Sequence, residues 1–206
     1  MPPAVKFQKE EIARAALRVV RRQGVDALTA RTLARELGVS VGPIFTWYAS
    51  MEEVRRDVAG LARAEYVKYV ERGLSEPVPF LGVGQNYIRF ARQEPELYKL
   101  LFLRNDSETG GAMEALRLSQ ALARPSLMRI YNMDEATADR YFRNLWLAAF
   151  SFATLIVTGG CTYGDAEIGA IFTELSLALC KAYKEIPGFA EGRFDRDALF
   201  TELVKK

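Results

Sequence analysis

Residues Leu28 to Val54, LTARTLARELGVSVGPIFTWYASMEEV, carry the pattern on which the fold turns. Thr29 is a residue type that caps helices, Leu33, Ala34 and Leu37 recur at helical spacing, and Gly38 supplies a stop. A first helix is therefore expected over Ala30 to Leu37. Gly38 and Val39 leave a turn of about three or four residues. Ser40 is the next expected cap, for a very short helix over Val41 to Trp47, and Ser50 opens a third helix in which Glu53 completes an S-x-x-E capping box. Such a pair can set the N-terminal end of its second helix against a duplex, where side chains meet base edges and free backbone N–H groups meet phosphate. Leu33, Leu37, Val39 and Ile44 are spaced to form a small apolar floor, which leaves Arg31, Arg35, Val41, Gly42, Pro43, Thr46 and Trp47 toward the outside. A glycine turn between short helices also occurs in proteins that never touch DNA, so the flanking chain has to decide.

The flanks favour nucleic acid. Lys6 to Gly24 reads as one helix with Ile12, Ala16, Val19 and Val20 on one face and Lys9, Arg14, Arg18, Arg21 and Arg22 mostly off it. Residues 1–72 hold 13 Lys and Arg against 9 Asp and Glu, whereas the remainder holds 15 against 17. A net charge of +2 over 206 residues is a weak argument by itself. A basic N-terminal part beside a mildly acidic remainder implies that one end faces phosphate, with a solvated basic face as the alternative.

A helix of about fifteen residues, then L-T-x-R-x-L-A-x-x-L-G-V-S, a short aromatic-rich helix and S-x-E-E opening a long helix resembles the N-terminal domain of TetR-type bacterial transcription regulators over residues 8 to 60. The resemblance implies an all-α homodimer, with a three-helix DNA-binding domain and a larger ligand-binding and dimerising helical bundle behind it. It also implies that Arg31 contacts a base and that Val41, Gly42 and Pro43 head the recognition helix, with Thr29, Ser40, Thr46, Trp47 and Ser50 among the DNA-facing residues. Phe45 stands where the family usually has a phosphate-contacting tyrosine, and Met51 where it usually has a phosphate-contacting lysine. Both are departures. Val41, Gly42 and Pro43 offer no side-chain hydrogen bond, so direct readout at that tip is limited to apolar contact such as thymine methyls.

Beyond the head, Met51 to about Gly73 reads as an unbroken helix with Val54, Val58, Leu61 and Ala62 inward, and SEPVP over Ser75 to Pro79 cannot continue it. The expected division is 1–50 for DNA binding, 51–74 as a connecting helix, and 75–206 for ligand binding and dimerisation. Further helices are expected over Phe80 to Gln93, Pro95 to Leu103, Ala112 to Tyr131 with a bend near Pro125, Glu135 to Thr158 capped by Asp134, and Ala166 to Glu185 capped by Asp165. Leu103 to Gly111 reads as a polar loop, and Gly159-Gly160 as a break. LWLAAFSFATLIV, Leu145 to Val157, is apolar almost all round yet shorter than the roughly 20 residues of a membrane span. A helix apolar on every side needs partners on every side, so two such helices from each of two subunits are expected to form a four-helix interface, with an ordinary intrachain core as the alternative.

Aromatic residues gather in this second part, and Tyr87, Phe90, Phe102, Trp146 and Phe150 with Met113 are the candidates for enclosing a hydrophobic ligand. Asn144, Ser151 and Thr154 are candidates for orienting it. Enzyme chemistry is disfavoured. With no histidine anywhere, His-based acid–base catalysis, Ser-His and Cys-His pairs and nearly every common zinc or iron site are excluded. No catalytic residue, cofactor or metal is expected. Cys161 and Cys180 lie 19 residues apart without a C-x-x-C companion and read as small apolar residues or free thiols, a redox pair being the alternative. Their number, with no evident leader, fits a cytoplasmic protein. The expected partners are double-stranded DNA, a small hydrophobic effector and a second copy of the chain, with no membrane. The expected function is a ligand-responsive, sequence-specific transcriptional regulator, a repressor acting as a homodimer on a palindromic operator. The competing reading is a small-molecule sensor or nonspecific DNA-binding module with weakened sequence readout.

Overall fold

Ile12, Ala16, Val19 and Val20 are all buried, and the helix that carries them, α1 (Lys9–Gln23), lays this stripe against the rest of the head. The computed structural model describes residues 7–104 and 110–205. Lys6, the expected start of α1, lies outside them, as do residues 105–109 of the expected polar loop. Helix α1 begins three residues later than expected because Glu11 folds back to accept the Gln8 backbone N–H at 2.8 Å, fixing the cap there. Helix α2 (Ala30–Leu37) has the expected bounds, with the Thr29 hydroxyl accepting from Thr32 N at 3.2 Å. Gly38 ends it at φ 70°, a left-handed conformation that favours glycine.

The next element is shorter than expected. Helix α3 spans only Gly42–Phe45, preceded by Val41 rather than Ser40, and Ser40 makes no cap. Val41 caps without a side-chain hydrogen bond and Gly42 is a poor helix former, so little holds the first turn, and Thr46 and Trp47 continue only as a turn closed by Trp47 N–H donating to Ile44 O at 3.1 Å. Helix α4 (Met51–Leu74) begins at Ser50, whose hydroxyl accepts from Glu53 N at 3.4 Å. The box is half formed, since the Glu53 carboxylate takes the N–H of Ala49 and not that of Ser50.

Along α4, Val54, Val58, Ala62, Tyr66 and Val70 recur every four residues and are all buried. The stripe passes without a break from α1 at one end to α5 (Pro79–Gln93) at the other, so one rigid helix belongs to both parts of the molecule. Pro95 starts α6 (Pro95–Tyr98), which runs on into a π-helical turn, Lys99–Leu103. Helix α7 (Gly111–Tyr131) contains Pro125, and α8 (Glu135–Val157) is capped by Asp134, which accepts from Thr137 N at 2.7 Å. The Gly159-Gly160 break closes α8 by returning the Gly160 N–H to Leu155 O at 2.7 Å.

Helix α9 (Asp165–Glu185) is preceded by Gly164 rather than capped by Asp165; the Gly164 N–H is taken by Glu167 at 2.8 Å. A last helix, α10 (Arg196–Lys205), was not expected from the pattern. Helices α4, α5, α7, α8 and α9 pack around one another to make the body. The apolar run of α8 is not buried all round: Leu147 and Leu155 are 46% and 45% exposed. Both thiols are free and half-buried. Among the described residues, no helix is long and apolar enough to cross a membrane.

Candidate functional site

The head presents one exposed edge. Thr29, Arg31, Arg35, Ser40, Gly42, Phe45, Thr46 and Trp47 are exposed, while Val41, Pro43 and Ser50 are half-buried beside them. Leu33 and Ile44 are fully buried beneath, so α2 and α3 are held at a set angle by an apolar floor of which Leu37 and Val39 form the half-buried rim. Glu36 of α2 is engaged by α1, accepting from Arg18 Nε at 2.8 Å and from Arg22, and not by Arg31. Hydrogen bonds from Arg18 and then Arg22 hold its carboxyl below the usual value. Arg31 thus stays on the outer edge, and α1 and α2 are tied by charge.

Two side chains on this edge have commitments that sequence reasoning missed. Trp47 donates its indole N–H to the carbonyl of Phe7 at 2.8 Å, so it fastens the start of the described chain and has no donor left for DNA. The Thr46 hydroxyl returns to Gly42 O at 3.4 Å. Beneath them the buried Tyr48 donates to Asp57 of α4 at 2.8 Å, and Lys9 of α1 pairs with the same carboxylate at 3.3 Å. Burial, then this hydrogen bond, pushes the Tyr48 hydroxyl well above its ordinary value. The tip of the reading unit is therefore anchored on two helices at once.

A cavity of about 200 Å³ lies in the body. Tyr66 of α4, Phe80, Leu81, Val83 and Tyr87 of α5, Phe142 and Trp146 of α8, Tyr131 of α7, and Phe172, Thr173, Ser176 and Leu177 of α9 contribute to its wall. Of the ligand candidates, Tyr87 and Trp146 line it. Phe90, Phe102 and Phe150 stand behind it: Phe102 stacks on Tyr98 at 4.6 Å, Phe150 stacks on Trp146 at 5.4 Å, and Phe90 packs against Tyr66 at 5.3 Å. Met113 lies away from the cavity, 55% exposed near the start of α7, because its position falls on the outer face of that helix. Thr154 is taken up by the Tyr98 hydroxyl at 3.1 Å and Ser151 by Leu147 O at 3.0 Å.

Tyr66, Phe80 and Phe172 were missed as cavity residues. For Tyr66 the four-residue stripe of α4 announces burial, but not the cavity. The polar atoms of the floor point into protein. Ser119 donates to Ala115 O at 2.7 Å, so the Tyr66 hydroxyl, 2.6 Å away, donates to Ser119. Tyr87 likewise donates to Tyr98 at 3.3 Å. Burial drives both phenols far from ionisation.

A three-helix head with an exposed helix-turn-helix edge, joined by one long helix to a helical body with an aromatic cavity, is the architecture of a helix-turn-helix DNA-binding regulator. Residues 12–58 match the family model of the bacterial regulatory proteins, tetR family, and residues 80–179 match the tetracyclin repressor-like C-terminal domain. The chain belongs to the TetR family and is a helix-turn-helix transcriptional regulator. An uncharacterized HTH-type transcriptional regulator of Mycobacterium tuberculosis, Rv0681, is 26% identical over 179 residues, 84% of this chain and 80% of that one. Among solved structures, a protein of unknown function from Rhodococcus sp. RHA1 superposes with a TM-score of 0.70 at 20% identity, over 87% of this chain and all of that one. The multidrug binding protein EbrR, in complex with imidazole, superposes at 0.59 with 21% identity, over 82% of this chain and 94% of that one.

Proposed function

We propose that this regulator is a ligand-responsive repressor that binds a palindromic operator as a homodimer and releases it when a small hydrophobic effector enters the aromatic cavity. In this reading residues 1–50 bind DNA, 51–74 connect, and 75–206 bind ligand and dimerise. The observation that carries it is the sharing of α4: Tyr66 lines the cavity, and the same helix holds the reading head through Asp57 and Tyr48. A ligand wedged between Tyr66 and α5 shifts α4, and the shift changes the separation of two heads that enter successive major grooves. EbrR, with a similar fold, is a multidrug binding protein, which supports a ligand role for the body.

The dimer is supported by an unpartnered seam. Leu147, Ser151 and Leu155 on α8 and Leu175 and Ala178 on α9 are exposed and fall on one side of their helices, as a second copy of the same pair would need. At the head, Arg31 carries the polar readout, since Val41, Gly42 and Pro43 supply only apolar contact. The test is selection of duplexes from a random pool, followed by titration of the selected site with a cavity ligand. Palindromic enrichment and ligand-dependent release are expected; a ligand that binds tightly without changing operator affinity overturns the coupling.

That apolar tip also favours a second reading, a nonspecific DNA binder. Salt titration separates the two, because a nonspecific binder shows steep salt dependence with little preference among duplexes, whereas a regulator prefers its site by about 10³-fold or more.

A further inference from the structure

We infer that the cavity takes an uncharged aromatic molecule of about two fused rings bearing one hydroxyl group, ring inward and hydroxyl at Thr173 of α9. This rests on reading the cavity as the effector site, and it specifies what that site selects. Size comes first. At about 200 Å³ the cavity exceeds the roughly 150 Å³ void that holds a benzene.

Charge comes second: none of the lining residues is acidic or basic. A carboxylate or ammonium entering here would lose its water without gaining a partner. Ring faces can attract a cation, but here the rings are engaged with one another. Tyr66 meets Tyr87 edge to face at 6.0 Å and 82°, Tyr87 meets Trp146 at 5.8 Å and 63°, and Phe80 meets Phe142 at 6.0 Å and 70°. One face of Trp146 is covered by Phe150. The rings therefore offer mainly dispersion contact to a flat apolar guest.

The polar group is set by the α9 side. The floor phenols Tyr66 and Tyr87 have given their protons to Ser119 and Tyr98, and the Trp146 indole N–H is buried behind the wall without a hydrogen-bond partner. Ser176 is shared with the Tyr141 hydroxyl at 2.6 Å. Thr173, exposed at the mouth of the cavity, has donated its proton to Gly169 O at 2.9 Å, so its oxygen is left only to accept. The Thr173 oxygen therefore suits a donor, which a phenolic hydroxyl supplies and an ether does not.

The experiment is isothermal titration calorimetry of the full chain with 2-naphthol, 2-methoxynaphthalene, 2-naphthoate and 2-naphthylmethylammonium, repeated on Thr173→Val, whose folding is checked by thermal melting. The expected ranking has 2-naphthol tightest, the ether on the order of fivefold weaker, and both ions at least about tenfold weaker. Thr173→Val should erase the gap between naphthol and ether while leaving the ether's affinity in place. Either ion binding as tightly as the naphthol, or an undiminished gap in the variant, overturns the ligand class while the effector reading stands. Silence with all four probes likewise overturns the ligand class, and binding without release of operator, read by titrating the operator complex with 2-naphthol, overturns only the effector reading.

Discussion

Gly73 of α4 and Gly82 of α5 meet backbone to backbone, with no side chain between them. A Cβ placed on Gly73 would lie 2.5 Å from Val83 N and 2.6 Å from Gly82 C, closer than atoms can pack. Asn86 of α5 braces the crossing, donating to Gly82 O at 2.9 Å and to Glu76, just past α4, at 2.8 Å. Val83 and Gly84, the next residues of α5, belong to the cavity wall. Cavity and connecting helix thus share one tight contact.

Gly73→Ala should force α4 and α5 apart. Overpacking of this kind costs about 1 to 3 kcal/mol, which for a chain of this size lowers the melting temperature by roughly 2 to 4 °C per kcal/mol. Operator affinity should change with it, because the spread is imposed on the helix that carries the head. A variant with wild-type melting and wild-type operator binding would show that the crossing is slack.

Arg31→Ala tests the readout. Arg31 is exposed on α2 beside the short α3, and Glu36 is already committed to Arg18 and Arg22. Loss of a base-contacting arginine should cost about 1 to 3 kcal/mol and relax discrimination at one operator position. Binding measured over single-base variants of the selected site checks this, and unchanged discrimination at every position rejects the role.

The link between α1 and α2 should depend on pH. The Glu36 carboxyl is held below its ordinary value of 4.5 by hydrogen bonds from Arg18 and then Arg22, so the folded state favours its charged form. The stabilisation is therefore present above the unfolded value and is lost as pH falls through the lowered folded one. Comparing melting of the wild type and Glu36→Gln from pH 7 down to 3 should show a deficit that narrows below about pH 4.5. Raised salt should shrink it too, since both arginine side chains are more than half exposed. A deficit constant across that range would mean the pairing contributes nothing.

The reading unit was legible in the sequence because its signals are local: Thr29 caps α2, Gly38 ends it, and both act within a few residues of themselves. Ser40 misled because a good cap residue followed by Val41 and Gly42 does not draw α3 back to it. The cavity was only half legible for the opposite reason. Tyr87 and Trp146 were among the bulky residues of the body, but Tyr66 arrives from the connecting helix and Phe172 from α9, and no local spacing announces that they converge. Met113 had the right chemistry on the wrong face of its helix. Helix α10 went unexpected because its apolar residues, Ala198, Leu199, Phe200, Leu203 and Val204, span only two turns, too short a stretch for a period to stand out.

The exposed leucines of α8 supply the last test. Leu147 and Leu155 are two turns apart on one side of the helix and nearly half exposed, with Ser151 between them. Such a stripe in water loses the stabilisation of roughly 25 cal/mol per Å² that burial would give, and a second copy of the same seam supplies the cover. Leu147→Glu combined with Leu155→Glu places like charges across a twofold axis and should reduce the particle to the 23.1 kDa chain in sedimentation. The head, held separately by Tyr48, Asp57 and Lys9, should stay folded and keep weak affinity for a half-site. High affinity for the full palindrome should disappear, because it needs two heads held one helical turn apart. A wild type that already sediments as a single chain at micromolar concentration, or a double variant that still binds the palindrome tightly, would remove the dimer from the mechanism.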